Sequence, residues 1–254
     1  MLDVSTMKTF LNNKELEVLL FGTIDSTNSE AKRIAKNGLQ KPTLIIADSQ
    51  SHGRGRMGRS FYSPSSTGLY FSYVYRPQGD VTSFVSVTSA TAVAVCRAIK
   101  EVTSIDAKIK WVNDVYVDEK KVCGILCEAV TEGDKSDANC IIIGIGINVS
   151  TENFPSELSD KACSLKACGI DRNRLAAEVI NQLEDLINGL ENRAFIKEYR
   201  ERSLVLGKPI TFVKNGVETD AVAVSVDDDG GLTVRLSDGS QTTLNTGEIS
   251  IKMQ

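Results

Sequence analysis

Short apolar runs separated by polar, glycine-bearing segments dominate the first part of the chain. Leu16–Phe21, Thr43–Ala47 and Leu69–Tyr75 are strands by their length and their β-branched or aromatic content. Ala107–Trp111, Val115–Val117, Val122–Val130 and Cys140–Val149 predict four more, with a turn at Asp118–Lys120 and a polar hairpin connection over Thr131–Ala138. Ser83–Val102 is rich in Ala and Val at helical spacing and predicts a buried helix; Arg172–Leu190 and Phe195–Arg202 also read as helices. Asp25-Ser-Thr-Asn-Ser-Glu30 predicts a helix start. Thr27 and Glu30 stand at capping-box spacing, Ala31, Ile34 and Ala35 share a face, and Gly38 is the stop. The texture changes after Leu206-Gly-Lys-Pro209. Ile210–Val213, Asp220–Val226, Leu232–Leu236, Gln241–Leu244 and Ile249–Lys252 are short strands punctuated by Gly216, Asp229-Gly-Gly231 and Asp238-Gly239, which predicts a small closed β-barrel. The expected fold is therefore α+β: a mixed or antiparallel sheet with packed helices over residues 1–206, then the barrel over 207–254.

Composition narrows the classes of function. The 254 residues are 41% hydrophobic and 24% charged, enough to bury a core without disulfide or metal staples. A net charge of −4 removes any whole-protein attraction to nucleic acid or anionic membrane, although a local basic patch remains compatible with it. With a single histidine, His52, no site that needs two is available. The six cysteines form no CxxC pair and no zinc-ligand spacing, and Cys123, Cys127 and Cys140 lie in apolar strand-like runs. They suit a reducing cytoplasm better than a disulfide framework. No run approaches the ~18 apolar residues of a membrane span, and the N-terminus lacks the pattern of a signal peptide.

Five segments carry candidate chemistry. Gly53-Arg-Gly-Arg-Met-Gly-Arg59 satisfies GxGxxG after a strand, but Ser60-Phe-Tyr-Ser-Pro64 follows instead of an apolar helix, so the dinucleotide reading fails. What remains is open backbone amides interleaved with Arg54, Arg56 and Arg59, which is either a polyanion site or a solvated basic loop. In Lys110-Trp-Val-Asn-Asp114 the polar Asn113 and Asp114 follow a strand end. In Lys121-Val-Cys-Gly-Ile-Leu-Cys-Glu128, strict alternation puts Lys121, Cys123, Ile125 and Cys127 on one face and Val122, Gly124, Leu126 and Glu128 on the other. Gly144-Ile-Gly-Ile-Asn148 ends an apolar strand on an amide that either binds a ligand or caps the next turn. Ser26-Thr-Asn28 gathers hydroxyls and free amides at a helix start, as a plain cap or an anion site.

Asp25-Ser-Thr-Asn28, Gln50 leading into Gly53–Arg59, Lys110–Asp114, Lys121-x-x-Gly-Ile-Leu-x-Glu128 and Gly144–Asn148 together resemble the biotin protein ligases, in that family's order and over nearly the whole chain. The ending Gly247-Glu-Ile-Ser250 also fits. The resemblance implies a monofunctional ligase with a class II aminoacyl-tRNA synthetase-like catalytic fold and a Src-homology-3-like C-terminal barrel. It implies that biotin and ATP form biotinyl-5′-AMP, with Mg²⁺ nearby, and that a lysine of a biotin carboxyl carrier domain then takes the biotinyl group. By position, Ser26, Thr27, Asn28, Gln50, Arg54, Gly55, Arg56 and Lys121 would contact biotin. Arg56, Arg59, Phe61, Asn113 and Asn148 would line the nucleotide side; Lys121, Arg54 and Asp114 would act in catalysis, and no direct protein ligand to the metal is implied with certainty. The residue types agree: a carboxylate must meet a polyphosphate, and cations must neutralise the repulsion.

Three positions depart from the family pattern. Val112 stands where proline is usual, Met57 where a further basic residue is common, and Phe61 where tryptophan is frequent. Lipoate or octanoate ligation is the nearest alternative, and a non-enzymatic RNA-binding module is a more distant one. Only 25 residues precede Ser26, and they carry little charge, so no DNA-binding winged helix is expected. Monomer and homodimer are both compatible with the sequence; a strand such as Cys140–Val149, if it lay at a sheet edge, would pair across a dimer.

Overall fold

A computed structural model describes residues 1–39, 41–77, 84–130, 140–166, 169–214 and 216–251. In chain order the elements are α1 (Val4–Phe10), β1 (Glu17–Ile24), α2 (Thr27–Lys36), β2 (Thr43–Gln50), β3 (Gly68–Tyr75), α3 (Phe84–Thr103), β4 (Lys108–Lys110), β5 (Asp114–Val117), β6 (Lys120–Val130), β7 (Cys140–Asn148), α4 (Arg172–Asn188), α5 (Phe195–Arg202), β8 (Pro209–Lys214), β9 (Val217–Val226), β10 (Leu232–Leu236), β11 (Gln241–Leu244) and β12 (Ile249–Ile251). The expected hairpin connection at Thr131–Ala138, Ser83 at the start of the long helix, Cys168 and the terminal Lys252 lie outside the described residues.

Seven strands form one sheet in the order β1-β2-β3-β7-β6-β5-β4; only β1 and β2 run parallel, so the sheet is mixed. Both faces are covered, which is why Thr43–Ala47 and Cys140–Asn148 are continuously apolar rather than alternating. On one face Leu44, Ile46, Phe71, Ile143 and Ile145 pack against α3 and α4 residues such as Val87, Ala94 and Leu183. On the other face Ile45, Val74 and Ile142 meet Ala31 and Ala35 of α2. That face continues past the N-terminus of α2 as Ser72, Gly144, Gly146 and Gly124, and the small residues leave room for a site.

Strand β7 lies between β3 and β6 with both edges paired, so it offers no edge for the dimer pairing suggested from its sequence. Helix α1 has no counterpart among the expected elements. Asp3 caps it by accepting Thr6 N at 2.7 Å, and Met7 and Leu11 are its buried contacts. The cap of α2 is Ser26, not Thr27: its hydroxyl accepts from Ser29 N, and Glu30 pairs with Arg33 instead of closing a capping box. Among the described residues Cys96, Cys123, Cys127, Cys140 and Cys163 are free thiols, and burial pushes Cys96 up to about 12, as inert core cysteines require. No helix of the described residues is long and apolar enough to cross a membrane.

The C-terminal strands form a five-stranded antiparallel sheet in the order β11-β10-β9-β8-β12. Among the described residues its end strands β11 and β12 are not paired with each other, so the expected closed barrel is an open sheet in its pairing. Trp111 Nε1 donates to Gly230 O at 2.9 Å and Arg200 Nε to Val226 O at 2.7 Å, docking this sheet on the larger unit. The dock brings β12 beside β4 and the arginine-bearing loop.

Candidate functional site

A cavity of about 510 Å³ opens on the α2 side of the large sheet. Ser26, Thr27, Asn28, Gln50, Arg54, Gly55, Arg56, Arg59, Phe61, Asn113, Asp114 and Lys121 all line it, drawn from five separate stretches of sequence. Asn148 does not. It is buried and donates to Cys163 O at 3.3 Å. Asp25, the first residue of its motif, is also turned away: Arg33 donates to both of its oxygens and holds its carboxyl down near 2.

One end of the cavity is neutral and polar. Thr27 N donates to Gln50 Oε1 at 2.8 Å, and Gln50 Nε2 donates to Ser63 Oγ at 2.9 Å. Ser72 Oγ lies 2.6 Å from Asn28 Oδ1 and 2.8 Å from Thr27 Oγ1. Asn28 also donates to Leu126 O and to Glu128. Asn28 fits only because residue 144 is glycine; a Cβ there would stand 2.0 Å from its Oδ1. The paired glycines Gly124 and Gly146 make a flat floor for the Phe61 ring in the same way, since a Cβ on Gly146 would meet that ring at 2.6 Å.

The arginine loop is a tight hairpin. Phe61 N donates to Gly53 O and Gly55 N to Arg59 O, with Met57 and Gly58 in the left-handed region at the tip. Gly53 is required by close approach, because a Cβ would meet Phe61 O at 2.4 Å. The three guanidiniums diverge. Arg54 binds Glu128 through both nitrogens, at 3.0 and 2.9 Å. Arg56 donates to Asn113 Oδ1 at 2.9 Å, and Arg59 pairs with Glu248 at 2.6 Å.

Lys121 reaches the cavity through a β-bulge. In the β5–β6 pairing Val115 faces Cys123 and Tyr116 faces Lys121, so Val122 is an extra residue. The extra residue breaks the alternation expected for this strand. It turns Lys121 onto the Gly124 face, where its Nζ lies 3.1 Å from the point a Gly124 Cβ would occupy. Lys121 Nζ stands 2.6 Å from Asp114 Oδ1, which nevertheless accepts no aligned hydrogen bond.

Glu128, which holds the arginine loop, and two parts of the wall went unassigned in the sequence. Glu128 accepts from Arg54, Lys32 and Asn28; burial raises its carboxyl, but these partners outweigh burial and leave it below the ordinary value of 4.5. Glu248, Ile249 and Ser250 close the cavity from β12, and Leu158, Lys161 and Ala162 flank Lys121. The 158–162 segment is tied down by Lys121 N donating to Lys161 O and by Cys163 N donating to Lys121 O. Glu128 ties the arginine loop to α2 and β6.

That role has a measurable consequence. Glu128→Gln should lower stability at pH 7 by about 1–2 kcal/mol, less than a fully buried network because Arg54 stays 40% exposed. The stabilisation is complete above the ordinary pKa of 4.5 and is lost as pH falls through the lower folded value. The gap in thermal midpoint between wild type and variant should therefore shrink below pH 4.5. A gap that is constant with pH would show that the carboxylate charge is not involved.

Comparison with known proteins gives the family of the chain. The chain is 27% identical to a protein named biotin–[acetyl-CoA-carboxylase] ligase of Mycobacterium tuberculosis over 235 residues, covering 88% of this chain and 85% of that one. It is 41% identical to the bifunctional ligase/repressor BirA of Bacillus subtilis over 154 residues, covering 59% of this chain and 47% of BirA. The aligned part spans about half the length of that relative and of its Bacillus spizizenii counterpart. The structure of the biotin protein ligase from Aquifex aeolicus in complex with biotin and ATP superposes with a TM-score of 0.79 at 27% identity, over 94% of this chain and 99% of that one. The model of the biotin protein ligase C-terminal domain matches residues 205–252. With the model of the biotin/lipoate A/B protein ligase family matching residues 20–148, this chain belongs to that family.

Proposed function

We propose that this protein is an ATP-dependent biotin protein ligase. It joins biotin to the α-phosphate of ATP and then passes the biotinyl group to a lysine of a biotin carboxyl carrier domain. The observation that carries the reading is one cavity with a neutral hydrogen-bonding end and a cationic end. The ureido ring of biotin has both donors and acceptors, and the Thr27, Asn28, Gln50 and Ser72 cluster supplies complements to both. An octanoyl or dithiolane tail has nothing to bond there, so burying these groups beneath it would be costly. Beyond this end, Lys121 sits where the carboxylate meets the α-phosphate, and Arg56 and Asn113 stand beside it toward the nucleotide.

The first step forms a bond from a biotin carboxylate oxygen to the α-phosphorus. The bond from that phosphorus to the bridging oxygen breaks, and pyrophosphate leaves. Lys121 offsets the repulsion between the two anions, and Gly55 and Arg56 close over the adenylate to keep water out. Asp114 fits Mg²⁺: it offers an oxygen with unmet hydrogen-bonding capacity, and Mg²⁺ takes one or two protein carboxylates with phosphates supplying the rest. No group of three or more acid, histidine or cysteine side chains that could hold a metal ion is found among the described residues, so Asp114 would be a single protein contact. The metal would add charge neutralisation at the triphosphate. In the second step the neutral carrier amine attacks the acyl carbon, the acyl–phosphate oxygen bond breaks as AMP leaves, the amine's surplus proton passes to solvent, and Asp114 orients the amine. We assign this chemistry to residues 1–206 with the β12 wall contributed by residues 207–254.

Mass spectrometry of a purified biotin carboxyl carrier domain, incubated with the protein, MgATP and either biotin or lipoate, tests the reading. A biotinyl addition on one lysine and no lipoyl addition is expected; lipoylation, or no modification, would reject it.

A further inference from the structure

Of the six cations lining the cavity, Arg54, Arg59 and Lys121 are matched by acids, and Lys161 is exposed to solvent. Arg54 and Lys32 share Glu128, Lys121 has Asp114, and Arg59 has Glu248. Arg56 is met only by the neutral amide of Asn113. Lys110 lines the same cavity and, among the described residues, has no acid within ion-pair distance and no hydrogen bond; its nearest partner is the Tyr116 ring, 5.8 Å away. It is half-buried, and desolvation lowers its pKa, with the positive charges of Lys121 and Arg59 opposing Asp114 and Glu248. A cation held this way costs free energy unless an anion arrives to meet it.

Strand pairing says where that anion lies. Lys110 pairs with Asp114, Asp114 with Gly124, Gly124 with Gly146, and Gly146 with Tyr70. Directly paired residues point to one face, so this is a single row running across the site from β3 to β4. The neutral polar end lies over β3 and β7, Lys121 over β6 and β5, and Lys110 at β4, the last strand. With strands roughly 4.8 Å apart, Lys110 is one to two strand widths beyond Lys121. A ligand laid from the polar end through the reacting centre at Lys121 carries its next charge at Lys110.

We propose that Lys110 binds the β- and γ-phosphates of ATP and carries the pyrophosphate leaving group. This rests on the ligase reading above. As the bond between the α-phosphorus and its bridging oxygen breaks, the electron pair goes to that oxygen, and the negative charge gained by pyrophosphate falls beside the Lys110 ammonium. No proton need move. Lys121 thus serves the point of attack and Lys110 the departing group.

Lys110→Gln and Lys110→Arg in the full chain test this by biotin-dependent ATP–pyrophosphate exchange, with thermal melting as the control for folding. In Lys110→Gln the KM values for pyrophosphate and ATP should rise about tenfold or more while that for biotin stays nearly constant, as loss of one charge-assisted contact predicts. Lys110→Arg should recover most of the loss. An unchanged KM for pyrophosphate, or an equal rise in all three KM values, would overturn the role of Lys110 while leaving the ligase reading intact. Absence of biotin-dependent exchange in the wild-type protein would overturn both.

Discussion

Replacing Lys121 with alanine is expected to slow formation of biotinyl-5′-AMP by about 10²–10³-fold, the usual loss when one preorganised charge is taken from a transition state. On the proposed reading the lysine would touch both anions as they meet, and the three arginines are held elsewhere. Arg54 is tied to Glu128, Arg59 to Glu248, and Arg56 leans on Asn113. Asp114 would make matters worse in the variant, because its carboxylate would face the phosphates without the ammonium now 2.6 Å away. Single-turnover chromatography of the adenylate measures the rate. Adenylate formation at the wild-type rate would remove Lys121 from the chemistry.

The second large effect concerns a residue with no side chain. Gly144→Ala should weaken biotin binding by about 100-fold and lower stability by about 1–3 kcal/mol. The new methyl would sit 2.0 Å from Asn28 Oδ1 and 2.8 Å from its Nδ2. Asn28 cannot swing aside cheaply, since Ser72, Leu126 O and Glu128 hold it from three sides. Moving it unpairs buried polar groups and collapses the neutral end of the cavity. Gly22→Ala is the matched control, with open space around its Cβ and no expected change. Titration calorimetry with biotin reads both. Wild-type affinity in Gly144→Ala would mean that the Asn28 cluster is not where the vitamin's ring sits.

The strands and the long helices were legible because burial on two faces leaves continuous apolar runs and burial on one leaves a periodic stripe. Helix α1 was not, because only Met7 and Leu11 carry its apolar contact, although Asp3 and Thr6 held the cap signal. The orientation of Lys121 was hidden by the bulge at Val122: alternation is a statement about regular pairing, and one extra residue reverses it. The interior place of β7 depends on strand order, which local pattern does not encode. In the site, residues were readable where the chemistry demands a type, such as the arginines, Lys121 and Gln50. Glu128, Glu248 and Ala162 were not assigned because they act through partners distant in sequence. Asn148 is not among the residues that line the cavity, since a buried amide after a strand suits a turn as well as it suits a ligand.

The central claim is that one cavity lets the carboxylate of biotin reach the α-phosphate of ATP. Exchange of labelled pyrophosphate into ATP by the purified protein tests it most directly, because the label enters ATP only by reversal of that step. The account predicts exchange that requires biotin and is not supported by lipoate or octanoate. Exchange that proceeds equally without biotin, or that lipoate drives, would contradict it.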